Sequence, residues 1–171
     1  MFAVTITGSL SGSYASAVAA ADRYRTAHPG RKVCVIDSLS TGPEMMMIVD
    51  KINELAAQGL DYETIKEQVL EYANHNHTLF CLESMMNLAR NGRTSMAVAK
   101  IAGMLGIRVC GDVKAGMITP VHKPRGHKKA MQTIVDMMEE RGFYDGSLIR
   151  VAACFAESQT NDLKAMVLAK W

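Results

Sequence analysis

The chain has 171 residues, 49% hydrophobic and 21% charged, enough for one well-buried domain or two small lobes sharing a core, and too apolar for a disordered chain. Its formal net charge of +2 is too slight to imply a nucleic-acid partner, so any basic site must be local. The four cysteines, Cys34, Cys81, Cys110 and Cys154, are far apart, each in an apolar run that reads as a strand, which fits buried thiols in a reducing cytoplasm better than disulfides or metal ligands.

Chain order begins with MFAVTITGSL, which lacks the basic residues of a secretory leader and reads as a strand over Phe2–Thr7. A helix is predicted from Ala15 to Arg25, closed by His28-Pro29-Gly30. Lys32–Ile36 is a second strand, and Pro43 opens a helix that runs toward Leu55 and ends at Gly59. Asp61 caps the next helix, which the Asn74-His75-Asn76-His77 stretch interrupts. This alternation of β and α predicts a parallel sheet covered by helices.

The second half reads differently. Thr78–Leu82 is a strand, followed by short helices and by two further strands, Ile107–Cys110 and Met117–Val121, with Asp112–Gly116 as a hairpin connection and hence an antiparallel sheet. Ala130–Glu140 is an amphipathic helix, Leu148–Phe155 a strand, and Thr160–Lys170 a closing helix with Leu163, Met166 and Val167 facing inward. No run is apolar for long enough to cross a bilayer.

Several stretches bear chemistry. In Ser9-Leu10-Ser11-Gly12-Ser13-Tyr14 a hydroxyl-rich turn between strand and helix aims backbone N–H groups and serine hydroxyls at an anion over the helix N-terminus, or else Ser11 or Ser13 simply caps that helix. The turn is neither a dinucleotide fingerprint nor a phosphate loop, because Gly8 and Gly12 are wrongly spaced and no lysine follows. Arg93 lies in an elbow, Leu88-Ala89-Arg90-Asn91-Gly92-Arg93-Thr94-Ser95, where a guanidinium either grips a carboxylate or phosphate or is a surface residue beside a helix end. His122–Lys129 carries four permanent cations, Lys123, Arg125, Lys128 and Lys129, without an interleaved aromatic for base stacking; it fits an acidic protein partner or a solvated loop. His75 and His77 lack a third ligand at zinc spacing, and no G-x-S-x-G nucleophile motif is present. The methionine runs at 45–47, 85–86 and 137–138 supply ordinary core or the adaptable wall of an acyl-chain site.

Four of these stretches occur in one order: Ile6-Thr7-Gly8-Ser9-Leu10-Ser11-Gly12-Ser13-Tyr14, Val35-Ile36-Asp37-Ser38, Leu88-Ala89-Arg90-Asn91-Gly92-Arg93 and Lys123-Pro124-Arg125-Gly126-His127-Lys128-Lys129-Ala130. Together they resemble the DegV family of bacterial fatty-acid-binding proteins, along nearly the whole chain. The resemblance implies a two-lobed α/β architecture: part of a parallel-sheet Rossmann-like lobe over residues 1–74, then an α/β lobe with a largely antiparallel sheet over 75–171. It implies a cytoplasmic carrier rather than a catalyst, with no cofactor or metal, holding one long-chain fatty acid between its lobes and presenting it to a fatty acid kinase. By that resemblance Ser11, Gly12 and Ser13 lie at the ligand carboxylate, with Thr7 and Arg93 as further ligand contacts. The same resemblance implies that Arg125, Lys123 and Lys128 dock the kinase.

The chain departs from the family pattern at Thr7-Gly8, where two serines are common, and at Asn91, where glycine is common. It also lacks the family's N-terminal segment with a Thr-Ser ligand loop and its final strand with a His-and-glycine motif. The expectation is a fragment of a longer chain, with apolar surface that favours self-association. The competing reading is a nucleotide- or phosphate-handling enzyme using the same turn. Binding of RNA by the basic loop is a more distant one.

Overall fold

Short β-branched strands alternate with helices in the first half of the computed structural model, which describes residues 1–102, 106–144, 146–153 and 157–171. Strand β1 (Phe2–Thr5) leads to helix α1 (Ser13–Ala27), β2 (Cys34–Asp37), α2 (Pro43–Ala57) and α3 (Tyr62–Asn74). Because a helix intervenes, β2 returns parallel to β1, with Phe2 opposite Cys34 and Thr5 opposite Asp37. Ile36, Ile48, Leu55, Ile65 and Val69 close the core between this pair and helices α2 and α3. Helix α2 opens on Pro43 and stops before Gly59, whose φ of 76° permits the chain reversal. Asp61 caps α3 as its sequence position predicts, accepting the amides of Glu63 at 2.9 Å and Thr64 at 3.3 Å. The Thr64 hydroxyl, 2.6 Å away, and those amides hold the Asp61 carboxyl below the usual carboxylate range.

The second half comprises β3 (Leu79–Leu82), α4 (Met86–Arg90), α5 (Met96–Ala102), β4 (Val109–Lys114), β5 (Met117–His122), α6 (His127–Glu140) and α7 (Glu157–Lys170). Its sheet has the order β3-β4-β5, with β3 antiparallel to β4 in the register Leu79–Asp112, Phe80–Gly111, Cys81–Cys110 and Leu82–Val109. The pleat sends alternate residues to opposite faces. Cys110, with Leu79 and Cys81 beside it, packs on Met131, Ile134, Val135 and Met138 of α6 and Val167 of α7. Val109, Phe80, Leu82 and Ile118 join a separate cluster with Met85 and Ala89. Packing divides the chain into two compact units, Met1–Thr78 with Lys114–Met117, and Leu79–Val113 with Ile118–Trp171. The architecture is thus a two-unit α/β fold with one parallel and one antiparallel sheet.

Three expectations need correction. The β4–β5 connection is not the five residues Asp112–Gly116 but two, Ala115 (φ 48°) and Gly116 (φ 81°), the paired left-handed conformation of a tight hairpin. Alanine in that conformation is uncommon, so the sequence carries little sign of the turn. Leu148–Phe155 is not a strand over its described residues 148–153: Leu148, Ile149 and Val151 are exposed, and β-propensity yields a strand only against a pairing neighbour. Cys154 and Phe155 lie outside the described residues. His127, Lys128 and Lys129 form the first turn of α6 and not a loop, because Gly126 (φ 82°) already turns the backbone into the helix.

A buried polar network braces the carboxyl end of the parallel pair. Ser38, Ser40 and Glu44 are each less than a tenth exposed. The Thr78 hydroxyl donates its one proton to the Glu44 carboxylate, so the Ser40 hydroxyl, 2.6 Å away, donates to Thr78. Ser38 Oγ in turn accepts the Ser40 amide and donates to the Ser40 carbonyl.

Thr78→Val keeps the shape but strips the buried Glu44 carboxylate of its donor. A loss of about 1 to 3 kcal/mol is expected in urea unfolding, largely restored by Thr78→Ser, and equal losses in the two variants would refute the hydrogen-bonding role. In β4, a side chain at Gly111 would place its Cβ 2.1 Å from the Thr119 carbonyl oxygen and 2.7 Å from Phe80 Cζ. The backbone of β5 cannot yield to this cheaply. Gly111→Ala should therefore lower stability by about 1 to 3 kcal/mol or more, read as a drop in Tm of several degrees.

Candidate functional site

Loops at the carboxyl ends of neighbouring parallel strands are where open α/β sheets bind ligands. Here the loop after β1, Ile6–Gly12, meets the loop after β2, Ser38–Gly42. The Asp37 carboxylate accepts the Gly8 amide, at 3.2 and 3.3 Å to its two oxygens, and the Leu39 amide at 3.0 Å. The Thr7 amide donates to the Ser40 carbonyl at 2.9 Å. One carboxylate and one carbonyl therefore lock the two loops together.

Within the first loop Thr7 is the pivot. Its carbonyl accepts the amides of Leu10 at 3.0 Å and Ser11 at 3.2 Å, and its hydroxyl accepts the Ser9 amide at 3.3 Å. It is fully buried. The hairpin tip presses on it: a Cβ on Gly116 would lie 2.3 Å from Thr7 Oγ1 and 3.0 Å from Ser9 Oγ, so only glycine fits. Gly8 has a local reason as well, since a Cβ there would sit 3.2 Å from Asp37 Oδ2 and 3.4 Å from the Tyr14 ring. The glycine lets the turn approach the carboxylate that anchors it.

The turn delivers its residues to the start of α1. The N-cap is Gly12, with no side-chain cap and no acidic residue in the first turn, so the choice between Ser11 and Ser13 as cap falls to neither. Ser11 Oγ accepts the Ser13 amide at 3.2 Å, which leaves the Ser11 hydroxyl proton free to point elsewhere. Gly12 and Ser13 are exposed and Ser11 is half-buried. An uncapped helix N-terminus carries roughly half a positive charge, and here hydroxyls surround it. The arrangement fits a small anion such as a carboxylate.

Thr7, Ser11, Gly12 and Ser13 are thus brought together in the first unit. Arg93 lies in the second, exposed in the elbow between α4 and α5, where its guanidinium donates to the Asn91 carbonyl and its amide to the Leu88 carbonyl at 2.8 Å. Lys123, Arg125 and Lys128 are exposed, also in the second unit. Arg125, Lys128 and Lys129, with Gly126, His127 and Gln132, line a shallow groove at the uncapped start of α6. His127 Nε2 lies 2.8 Å from Asp162, which ties that start to α7. The reading from sequence missed Asp37, Glu44, Thr78 and Gly116 as supports of the turn. Asp37 stood in a recognised motif, but its partners, Gly8 and Leu39, are set by folding. Among the described residues no group of three or more His, Cys, Asp or Glu is placed to hold a metal ion, and no helix is long and apolar enough to cross a membrane.

Comparison with known proteins gives these features a family setting. A DegV domain-containing protein of Streptococcus pneumoniae is 39% identical over 150 residues, covering 87% of this chain and 53% of that relative; the chain spans about half the length of the curated relatives it matches. The crystal structure of the Streptococcus pneumoniae fatty acid kinase (Fak) B3 protein loaded with linoleic acid superposes with a TM-score of 0.95 at 38% identity, over 99% of this chain and 60% of the other. A DegV family protein from Eubacterium eligens loaded with heptadecanoic acid gives 0.92 at 38% identity, over 97% and 60%. The family model described as "Uncharacterised protein, DegV family" matches residues 1–170, and the chain belongs to the DegV family.

Proposed function

We propose that this chain binds a long-chain fatty acid without chemical conversion, with the ligand carboxylate at the turn from Thr7 to Ser13, and contributes to presenting it to a fatty acid kinase. The observation that carries the reading is the uncapped, hydroxyl-lined N-terminus of α1. Ser11 and Ser13 supply hydroxyl donors, Gly12 leaves the backbone approachable, Thr7 holds the turn, and Arg93 is the cationic ligand contact. The acyl chains carried by the Streptococcus pneumoniae and Eubacterium eligens proteins support it, as does the name of the former as a fatty acid kinase component. The free thiols of Cys34, Cys81 and Cys110 support a cytoplasmic setting. Exposed Tyr144, Leu148 and Leu168 support self-association of the chain.

A phosphate-handling enzyme would use the same amides. A carboxylate ligand is the better fit, because the turn lacks the lysine that phosphate loops use. Ser11→Ala should weaken fatty-acid binding by about 1 to 3 kcal/mol, the usual range for a hydrogen bond to a charged group, and leave the already weaker methyl ester unaffected. Titration of both ligands into both proteins, with inorganic phosphate as competitor, reads the difference. Equal losses for acid and ester would make Ser11 a purely structural residue, and displacement by millimolar phosphate would favour the enzyme reading.

Arg125, with Lys123 and Lys128, forms the proposed docking surface for the kinase. Exposed charges at an interface rim govern encounter more than ligand retention. Arg125→Ala in a full-length relative should leave bound lipid unchanged while slowing kinase-dependent acyl-phosphate formation, most strongly at low salt. Unchanged turnover across salt concentrations would exclude the docking role; lipid lost from a folded protein would move Arg125 to the ligand.

A further inference from the structure

Cys81 and Cys110 stand directly opposite each other across the β3–β4 ladder, in a register fixed on either side by Leu79–Asp112 and Leu82–Val109. Both side chains point to the face covered by α6. Opposed residues of an antiparallel pair have Cα atoms about 4.5 to 5.5 Å apart, inside the range a disulfide bridges, so a bond between them needs side-chain rotation and no backbone shift. Cys110 is fully buried, its sulfur 3.8 Å from the Ala130 carbonyl, whereas Cys81 on the edge strand keeps partial access to solvent. We propose that Cys81 and Cys110 form a peroxide-oxidisable dithiol that closes to an intrachain disulfide between β3 and β4.

The two sulfurs are chemically unequal. Interaction with the Cys110 thiol lowers the Cys81 thiol below its ordinary value, and the Arg108 cation adds to this, outweighing partial burial. Interaction with Cys81 and then burial push the Cys110 thiol well above its own. Arg108 pairs through Nη2 with Glu83, and its Nε is buried without a hydrogen-bond partner. Cys81, partly open to solvent where Cys110 is fully buried, is therefore the attacking sulfur.

Hydrogen peroxide is the oxidant, small enough to reach a partly buried thiol. The Cys81 thiolate attacks one peroxide oxygen, the O–O bond breaks, and a sulfenic acid forms with loss of hydroxide. The Cys110 sulfur then attacks the Cys81 sulfur, the S–O bond breaks, and the Cys110 proton leaves with the expelled hydroxide as water. In sum, two thiols and one peroxide give one disulfide and two waters. The bond closes a loop of about 30 residues that contains α4, α5 and the Arg93 elbow, and restricts its unfolded states.

The test treats the reduced chain with a small excess of hydrogen peroxide, then alkylates and maps it without reduction. Expected are a mass lower by two hydrogens, two of the four thiols lost, a Cys81–Cys110 linked peptide, and full recovery with dithiothreitol. In Cys110→Ser, oxidation should stop at a Cys81 sulfenic acid that dimedone traps. The proposal is overturned if Cys81 and Cys110 stay alkylatable while other cysteines oxidise, or if Cys81 proceeds to sulfinic acid or to an intermolecular disulfide. Should the variant misfold by circular dichroism, the wild-type map decides alone.

Discussion

The Asp37 carboxylate is the joint on which the candidate site depends. It ends β2 and accepts amides from both loops that follow the parallel strands, Gly8 from one and Leu39 from the other. Leu39 has a φ of 51° and is half exposed, a left-handed conformation that costs a side chain about 1 to 2 kcal/mol. The bond to Asp37 helps to offset that cost. With the two loops joined, Thr7 is carried inward to cross-brace its own turn, and α1 starts at Ser13 behind an N-cap, Gly12, that has no side chain to offer. The candidate anion site thus rests on what the turn leaves open as much as on what it presents.

Beneath the loops the bracing is polar and buried, and its direction follows from proton counting. Glu44 accepts, Thr78 relays and Ser40 donates. Glu44 also lies in the first turn of α2, where the helix dipole favours a carboxylate. The second unit relies instead on apolar layers on the two faces of a short sheet, with Met131, Met137 and Met138 filling the α6 side and Met85 the other. Those methionines are ordinary core; Met46, Met96 and Met117 are exposed.

Much of the fold was legible in the sequence because its signals were local. The β-branched run at Phe2–Thr5, Pro43 at a helix start, and the Asp61 cap each act through neighbours a few residues away. Where partners are distant the reading failed. Leu148–Val151 has strand composition but no ladder, and the Ala115-Gly116 turn is held where Gly116 meets Thr7, more than a hundred residues earlier in the chain. The site divided in the same way. The serines of the opening turn were visible as hydroxyl donors beside a helix start, whereas Asp37, Glu44 and Thr78 gain their roles only through contacts about 30 residues apart. The basic run was legible as charge but not as the first turn of α6.

The proposed seat of the fatty-acid carboxylate is the set of amides and hydroxyls at the start of α1. Amide hydrogen exchange of the chain, followed by mass spectrometry with and without a long-chain fatty acid, addresses it directly. Slower exchange confined to peptides spanning residues 7–16 is expected when the free acid is added, and no such protection with the methyl ester. Protection by both ligands alike, or by the acid only around residues 123–129, would contradict it.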